Sequence, residues 1–438
     1  MNILTLNTIT LNKRFFLNIL VLGSGGREHA ICWSISKSKK CKNLYCIPGN
    51  GGISSEAKCY DINPTNKKEI FKFCLLKKVD LVVIGPEKLL YLGMADYLTK
   101  KGINTFGPTK KASQLETSKI FAKKFLKKNN IPTGNFTSFN SSISAINYVE
   151  SNTPPFVIKV DGLAEGKGVI ICNNRKTAIK NIKEILDLKK FGVAGDRIII
   201  EEFLVGYEIS YFAFFDQENI LPFEYALDHK KAKDNDLGLN TGGMGAFTPF
   251  QKINEKLKKK IFNEIILPTK KGLKEKKIEY RGVIFFGLII TKSGPKVIEY
   301  NVRFGDPECQ VILRNLNSDL LKILNSTTND LLHKEKISFT KQCSICVILA
   351  SNGYPEKYKK YSKIENIEKA EKTKDVVIFH SGTKKKKEGF FSNGGRVLSI
   401  TSTGKSLAEA RKKAYNAIRI INWKEGFFRS DIGKKKLE

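Results

Sequence analysis

The residues with the clearest potential for chemistry follow a strand-like segment in the second half of the chain. Residues 296–310 read KVIEYNVRFGDPECQ. Glu299 and Asn301 are two positions apart, so they share one face of the predicted strand; Arg303 shares it if the strand continues, and Asp306 follows after a glycine turn. Such oxygen ligands suit Mg²⁺, which keeps several waters and bridges nucleotide phosphates. The segment therefore predicts a cation site, although a strand that ends in a solvated acidic turn would show the same residues.

A glycine-rich loop between two predicted strands is the second candidate. The strand 156–160 carries Lys159, and residues 161–169 read DGLAEGKGV. Glycines let backbone amides close over phosphates, and Lys159 and Lys167 would add positive charge. The alternative is a flexible surface hairpin with incidental lysines.

The apolar strand 197–200 leads to the third candidate. It runs into Glu201–Leu204, and Glu208 lies four residues beyond. Backbone groups near Phe203 and Leu204 would pair with an adenine edge, while a carboxylate holds ribose hydroxyls. An ordinary strand end would have the same composition.

Two further loops bring glycines next to polar groups. Residues 239–246 read LNTGGMGA, a pattern that allows close approach of backbone to a ligand. Arg396 follows two glycines and precedes a strand, which suits a bidentate grip on phosphate. For His229, in the preceding DHKK segment, a structural hydrogen bond is the expected role, and general-base chemistry is the alternative.

The elements that must position these groups begin with a strand at 19–22, a glycine turn at 23–26 and a helix from about 27 to 38. Another strand, 80–84, ends in Gly85-Pro86-Glu87, which places a carboxylate at the ligand edge of a parallel sheet. The glycine spacing is not GxGxxG, and no acidic residue ends a second strand at the expected place. A nicotinamide-dependent dehydrogenase is therefore disfavoured.

Composition narrows the function classes. The chain has 438 residues and a formal net charge of +33, which predicts several domains and nonspecific binding of polyanions. The lysines are spread over the whole length, with no aromatic-interleaved basic strand, so a dedicated nucleic-acid partner is not expected. Nine scattered cysteines, with one unsupported CxxC at Cys343 and Cys346, predict reduced buried thiols in an intracellular protein. No apolar stretch is long enough for a membrane span.

Taken together, the motifs resemble those of the ATP-grasp superfamily, and closely those of the glycinamide ribonucleotide synthetase family. The resemblance covers nearly the whole chain from residue 19, and NTGGMGA and RFGDPE are its longest specific blocks. The matching motifs are LGSGGREHA (22–30), PGNGG (48–52), FGPT (106–109), SKIFAKKFL (118–126), KVDGLAEGKGV (159–169), IEEFLVGYE (200–208), DHKKAKDNDLGLNTGGMGAFTP (228–249), KVIEYNVRFGDPECQ (296–310) and GGRVL (394–398).

The resemblance implies an α/β fold with three domains. We expect an N-terminal doubly wound parallel-sheet domain at 19–118 and a central ATP-grasp domain at 119–329, with a mobile lid subdomain at about 133–205. A small C-terminal α+β domain would occupy 330–438. Residues 1–18 would be an extension of uncertain role.

The resemblance also implies site residues. Glu299 and Asn301 would hold Mg²⁺ or Mn²⁺, and Arg303, Asp306 and Lys159 would be catalytic. The residues around ATP would be Lys119, Lys159, Gly162, Glu165, Gly166, Lys167, Gly168, Glu201, Glu202, Phe203, Leu204 and Glu208. The residues around the other substrates would be Gly25, Gly26, Glu87, Asp228, Asn240, Thr241, Gly242, Gly243, Asp306 and Arg396.

The implied activity is ATP-dependent ligation of glycine to phosphoribosylamine through glycyl phosphate, a step of purine biosynthesis. We expect a cytoplasmic monomer with small-molecule substrates only.

Four positions depart from the family's usual residues and would affect substrate affinity rather than reaction class: Lys88, Lys231, Leu239 and Tyr300. Another ATP-grasp carboxylate ligase would share the nucleotide residues but lack the two longest blocks. A polyanion-binding protein would leave the carboxylate cluster unexplained.

Overall fold

The structure is a computed structural model that describes residues 16–162 and 168–434. Glu165, Gly166 and Lys167, which were predicted to contact ATP, lie outside the described residues, as do residues 1–15. Within the described ranges no helix is both long and apolar enough to cross a membrane. The nine cysteines, all within these ranges, are free thiols.

The N-terminal region is a five-stranded parallel sheet with strand order β3-β2-β1-β4-β5. Ile19 and Val21 of the first strand pack on the first helix, whereas Leu20 and Leu22 pack on the second helix, so both faces of the sheet are covered. The strands are β1 (Leu17–Gly23), β2 (Cys41–Pro48), β3 (Lys58–Cys59), β4 (Leu81–Ile84) and β5 (Thr105–Phe106). The helices are α1 (Gly26–Ser36), α2 (Lys67–Leu76), α3 (Glu87–Tyr91), α4 (Met94–Lys100), α5 (Gln114–Thr117) and α6 (Lys119–Lys128).

A four-stranded antiparallel sheet follows, with strand order β6-β9-β7-β8. It packs on two helices around a hydrophobic core of its own, separate from the cores of the rest of the chain. Its strands and helices fall within the range predicted for a lid, and the motion of a lid stays a prediction. They are β6 (Phe136–Phe139), α7 (Ser142–Ser151), β7 (Phe156–Val160), β8 (Val169–Cys172), α8 (Arg175–Leu186) and β9 (Ile198–Glu202).

The centre of the molecule is a nine-stranded sheet in the order β16-β15-β10-β11-β14-β17-β22-β19, with β23 beside β17. Four of its strands come from the C-terminal region, namely β17 (Cys343–Ser351), β19 (Val376–His380), β22 (Arg396–Gly404) and β23 (Gly426–Phe427). The elements before residue 330 are β10 (Tyr207–Phe215), β11 (Ile220–Asp228), β12 (Lys231–Lys233), β13 (Leu237–Asn240), β14 (Gly245–Thr248), α9 (Glu255–Ile261), α10 (Leu267–Glu275), β15 (Gly282–Thr291), β16 (Gly294–Asn301), α11 (Glu308–Asn315) and α12 (Leu320–Thr328). A π-helical turn, Phe262–Ile266, joins α9 to α10.

The C-terminal region completes this sheet and adds a small three-stranded sheet in the order β18-β21-β20. Helix α14 packs on β22 and β17. The elements are β17 (Cys343–Ser351), β18 (Lys363–Ile364), α13 (Ile367–Glu371), β19 (Val376–His380), β20 (Thr383–Lys386), β21 (Gly389–Ser392), β22 (Arg396–Gly404), α14 (Leu407–Ile420) and β23 (Gly426–Phe427).

Two features differ from a reading of the sequence alone. Strand β1 begins at Leu17, earlier than the predicted Ile19, because the N–H groups of Leu17 and Asn18 already bond to Lys40 and Asp80. Strands β14 and β17 pair across the boundary predicted near residue 330. The central and C-terminal regions therefore share one sheet, and the predicted boundaries stay predictions.

Candidate active site

A cavity of about 1180 Å³ lies between the four-stranded sheet, the central sheet and the N-terminal region. The ends of β7, β9 and β16 open into it, together with the segment after β11 and the loop that follows β17. Most of the predicted site residues line this cavity, and they form two clusters, one beside the four-stranded sheet and one beside the N-terminal region.

The predicted cation ligands lie at the end of β16. This strand pairs with β15 so that Glu299 faces Gly287 and Asn301 faces Phe285, which puts both side chains on one face. Asn301 Nδ2 donates to Glu299 Oε1 at 3.3 Å, and Lys119 Nζ lies 2.9 Å from Glu299 Oε2. Burial opposes ionisation of Glu299, but the charges of Lys119 and Lys230 outweigh it and hold the pKa of that carboxyl well below its usual range. Glu299 is therefore an anionic oxygen donor at neutral pH.

Two buried lysines share one carboxylate beside this pair. Lys159 Nζ lies 3.0 Å from Glu201 Oε1 and Lys123 Nζ lies 2.9 Å from Glu201 Oε2. All three side chains are nearly inaccessible to solvent. Burial and the nearby charges of Lys159 and Lys119 lower the pKa of Lys123 to about 8, although Glu201 opposes the shift. Lys119 and Lys159 line the cavity, so they place cationic groups on its wall, as binding of phosphates requires.

The segment after β9 forms the rim of the same cluster. Glu202 accepts hydrogen bonds from Asn135 and from Lys296, and the exposed Phe203 and the neighbouring Leu204 line the cavity. Glu208 Oε2 lies 3.1 Å from Lys230 Nζ. The β7–β8 hairpin predicted from the glycine loop is confirmed, with Lys159 opposite Val169. Gly162 and Gly168, which follow β7 and precede β8, line the cavity.

Arg303 is the centre of the second cluster. Its Nε lies 3.0 Å from Glu87 Oε2 and its Nη2 lies 2.9 Å from Glu116 Oε1. Its Nη2 also donates to Asn301 Oδ1 at 3.3 Å. Burial opposes ionisation of Glu87, but Arg303 and Arg27 outweigh it and lower the pKa of that carboxyl to about 2. Arg303 thus links Asn301, one of the predicted cation ligands, to the carboxylates of Glu87 and Glu116.

Asp306 and Arg396 form the far wall of the second cluster. Arg396 Nη1 donates to the carbonyl oxygens of Asp306, at 2.6 Å, and Gly242, at 2.7 Å. Gln310 Nε2 donates to Asp306 Oδ1 at 2.8 Å. Burial opposes ionisation of Asp306, but Arg396 and Arg27 keep the pKa of its carboxyl below the usual range. The guanidinium therefore positions the Gly242 loop beside the carboxylate.

Asp228 is half-buried at the end of β11. Burial and the negative charge of Glu308 raise its pKa well above the usual range, although Lys230 and Arg396 oppose the shift. The surroundings of Asp228 thus oppose ionisation of its carboxyl, in contrast to those of Asp306 and Glu299. The neighbouring His229 is buried and accepts a hydrogen bond from the Gly433 N–H at 3.4 Å, so its predicted structural hydrogen bond is confirmed.

The structure brings most of the predicted residues to the cavity and leaves three of them out of its lining. Gly25, Gly26 and Gly243 do not line it. The Gly25 N–H bonds to Glu28 at 2.6 Å at the start of α1, and a Cβ at Gly26 would lie 2.6 Å from Ser381 Oγ. Gly26 thus allows α1 to approach Ser381 and Ser399 of the C-terminal region closely, which is a packing role, whereas a Cβ at Gly25 would instead meet the Glu28 carboxylate.

Sequence reasoning missed several residues that lie in the two clusters. Lys123 is four residues after Lys119 on α6, a spacing that puts both on one helix face and could have revealed it. Glu116 accepts the Val302 N–H at 2.8 Å in addition to its contact with Arg303, and Tyr354 accepts the Gly242 N–H at 3.1 Å. No local pattern marks Glu116 or Tyr354, because their partners are distant in the sequence.

The chain matches known proteins along nearly its whole length. Residues 17–116 match the phosphoribosylglycinamide synthetase N domain, 117–309 the ATP-grasp (A) domain and 344–435 the C domain. A phosphoribosylamine–glycine ligase of Brucella melitensis is 42% identical over 96% of this chain and 99% of its own length. A chloroplastic phosphoribosylamine–glycine ligase of Arabidopsis thaliana is 45% identical over 94% of this chain and 79% of its own length.

A crystal structure gives the same result. The phosphoribosylamine–glycine ligase of Thermotoga maritima has a TM-score of 0.82 and 31% identity, with 95% of this chain and 100% of that chain covered. The resemblance predicted from the motifs is confirmed, and so is the predicted three-domain α/β architecture. The chain belongs to the phosphoribosylglycinamide synthetase family.

Proposed function

We propose that this chain is an ADP-forming ligase that uses ATP to join glycine to phosphoribosylamine in purine biosynthesis. One observation carries the proposal. One cavity is lined by Glu299, Asn301, Lys119 and Lys159 at one end and by Arg303 and Asp306 at the other. Such an arrangement suits a nucleotide and a second, charged substrate held next to each other.

The oxygen donors at the end of β16 fit a divalent cation. Glu299 is ionised and Asn301 Oδ1 lies on the same face of the strand, which are hard ligands of the kind that Mg²⁺ or Mn²⁺ takes. Among the described residues, no three His, Cys, Asp or Glu side chains converge as a metal site. When bound, the cation neutralises negative charge that develops on the phosphates.

The first step is attack of the glycine carboxylate on the γ-phosphate of ATP, which gives glycyl phosphate and ADP. Lys119 and Lys159 hold the phosphates from the cavity wall and spread the developing charge. Glu201–Leu204 and Glu208 surround the nucleotide, and Gly162 and Gly168 lie beside its phosphates. Water must be kept out of this site, because it would otherwise hydrolyse the acyl phosphate.

The second step is attack of the phosphoribosylamine amine on the carbonyl of glycyl phosphate, which forms the amide and releases phosphate. Asp306 orients the amine as an ionised hydrogen-bond acceptor. Arg303 acts in the first step, where it stabilises the phosphoryl group that passes from ATP to the glycine carboxylate. Glu87, Asp228, the segment Asn240–Gly242 and Arg396 surround this substrate. We infer a cytoplasmic monomer without a dedicated nucleic-acid partner, although the plant relative is named chloroplastic.

The test is ADP release by the purified protein with Mg-ATP, with and without glycine and freshly made phosphoribosylamine. We expect release that requires both substrates and that fails when alanine replaces glycine. Release with another carboxylate or amine would still support an ATP-grasp ligase, but it would contradict glycine and phosphoribosylamine as the substrates. An absence of release under every pairing, with ATP still bound, would contradict the ligase activity itself.

A further inference from the structure

The β12–β13 hairpin forms part of the cavity wall but has almost no hydrophobic core of its own. Within residues 231–240 Ala232 alone is buried, and Leu237 and Leu239 are 61% and 53% exposed. Asn235 and Asp236 at its tip have positive φ values of 59° and 54°. Because few apolar contacts anchor it, polar contacts must decide where this hairpin lies.

Those polar contacts come from the C-terminal segment 429–431. Ser430 N–H donates to Asp234 Oδ1 at 2.8 Å, and Asp431 Oδ2 accepts the Asn235 N–H at 2.8 Å. Arg429 Nη1 donates to Asp236 Oδ1 at 2.9 Å and to the Lys231 carbonyl at 3.0 Å. The segment thus contacts the first strand, β12, and the tip of the hairpin.

Arg429 is the centre of this contact. It is 1% exposed, and its Nε and Nη2 form two hydrogen bonds to Asp431, at 2.8 and 2.7 Å. Burial opposes ionisation of Asp431, but the hydrogen bonds from Arg429 and Asn235 outweigh it and lower its pKa to about 2. One planar guanidinium therefore joins Asp431, Asp236 and a backbone carbonyl in a fixed arrangement that a lysine ammonium cannot reproduce.

The segment itself is anchored to the body of the molecule. Tyr415 Oη on α14 donates to the Arg429 carbonyl at 2.6 Å and accepts the Ile432 N–H at 3.2 Å. Arg411 Nε, also on α14, donates to the Ile432 carbonyl at 3.0 Å. Since α14 packs on the central sheet, Arg429 fixes the position of the hairpin relative to that sheet.

The hairpin in turn sets the position of residues at the cavity. Asn240 pairs with Lys231 in the β12–β13 ladder. The Thr241 N–H bonds to the Lys230 carbonyl at 2.8 Å, and Gly242 is held by Arg396. A displacement of the hairpin would move Asn240–Gly242 relative to Arg396 and Asp306.

We propose that Arg429, which does not line the cavity, is a positioning residue that fixes the phosphoribosylamine side of the site through the β12–β13 hairpin. This inference rests on the proposed function for its substrate, but the contact between Arg429 and the hairpin can be tested without any substrate.

The experiment compares Arg429→Lys with Arg419→Lys, a matched control whose exposed guanidinium donates to the nearby Asn416 side chain at 2.9 Å. Asp236→Asn is a second variant that leaves the Arg429–Asp431 pair intact, in case Arg429→Lys does not fold. Hydrogen exchange of residues 231–243 is measured on the full chain without ligands. The KM values for ATP, glycine and phosphoribosylamine and the kcat are then measured for each variant.

We expect exchange in 231–243 to accelerate at least about tenfold in Arg429→Lys, with β10 and β15 unchanged, because only the hairpin loses its anchor. The KM for phosphoribosylamine should rise about tenfold, while the KM for ATP stays within about twofold. Unchanged exchange would overturn the role of Arg429, as would faster exchange with an unchanged KM for phosphoribosylamine. An inactive wild-type protein would instead count against the proposed function, since the exchange result does not depend on it.

Discussion

The two ends of the cavity hold charge in different ways. At the end beside the four-stranded sheet, the charged groups lie on regular elements, namely α6, β7, β9 and β16, and their positions follow from strand register. Val157 pairs with Glu201 between β7 and β9, so Lys159 is a diagonal neighbour of that carboxylate on the same face. At the other end, Arg303 and its partners come from separate segments that meet only in the folded chain.

This difference teaches how each end keeps its geometry. The lysines of the first end share carboxylates that are fixed by hydrogen-bonded strands, so a single substitution removes charge without displacing backbone. The second end depends on the planar guanidinium groups of Arg303 and Arg396, which join loops to one another. A substitution there should therefore change geometry as well as charge. The following predictions test this contrast.

The largest effect is expected from Glu299→Gln at the first end. It removes the negative charge that we propose holds the cation, and with it the charged partner of Lys119, which lies 2.9 Å away. We expect kcat to fall on the order of 1000-fold, because charge stabilisation of the transferring phosphoryl group is lost. ADP release measures this effect. Glu335→Gln, which changes a buried carboxylate 3.1 Å from Lys322, is the control, and a loss of less than tenfold in Glu299→Gln would contradict the assignment.

A smaller catalytic effect is expected from Arg303→Lys at the second end. Lysine keeps the charge but cannot contact Glu87, Glu116 and Asn301 at once, so kcat/KM should fall about 100-fold while ATP still binds. Steady-state kinetics and calorimetric ATP binding separate the two effects. The control is Arg281→Lys, which changes an arginine paired with Asp330. Loss of ATP binding in Arg303→Lys would show that the two ends are not separable.

The pH dependence of stability tests the second end without substrates. The pKa of Glu87 is about 2 in the folded chain against an ordinary value of 4.5. The unfolded chain therefore binds more protons between these values, and stability is lost as pH falls from 4.5 to 2. Because 36% of the Glu87 side chain is exposed, we expect Glu87→Gln to lower the free energy of unfolding by only about 1–2 kcal/mol at pH 7.

Urea unfolding of wild type and Glu87→Gln at several pH values measures this contribution. The difference between the two proteins should be largest above pH 4.5 and should shrink as the pH falls towards 2, because the Glu87 carboxylate takes up a proton over this range. A difference that does not vary with pH would mean that the Glu87 charge does not contribute through Arg303 and Arg27.

The smallest effect is expected from Tyr300→Phe on β16. Tyr300 is buried and its hydroxyl is 2.8 Å from Thr269 Oγ1. We expect a loss of about 1 kcal/mol in the free energy of unfolding, typical of one hydrogen bond, with kcat unchanged. Thermal unfolding and ADP release measure the two quantities. A change in kcat would show that the position of Glu299 depends on this strand contact.

Most of the first end was predictable from local patterns. Alternation along β16 predicted that Glu299 and Asn301 share a face, and the glycine loop predicted the β7–β8 hairpin. At the second end, the motifs named Arg303, Asp306 and Arg396. They did not reveal Glu116 or Tyr354, because contacts between segments that are far apart in sequence do not produce a regular pattern of residues.

The amino-acid sequence by itself determined the parallel N-terminal sheet and the shared strand face of Glu299 and Asn301, because both follow from local patterns of residues. It also determined the family, because the motifs and their order along the chain identify it. Only the tertiary structure decided that β14 and β17 join two predicted domains in one sheet, that Gly26 serves helix packing, and that Arg429 contacts a hairpin almost 200 residues earlier. These outcomes depend on which surfaces meet when the chain folds, and that depends on all of its packing interactions at once.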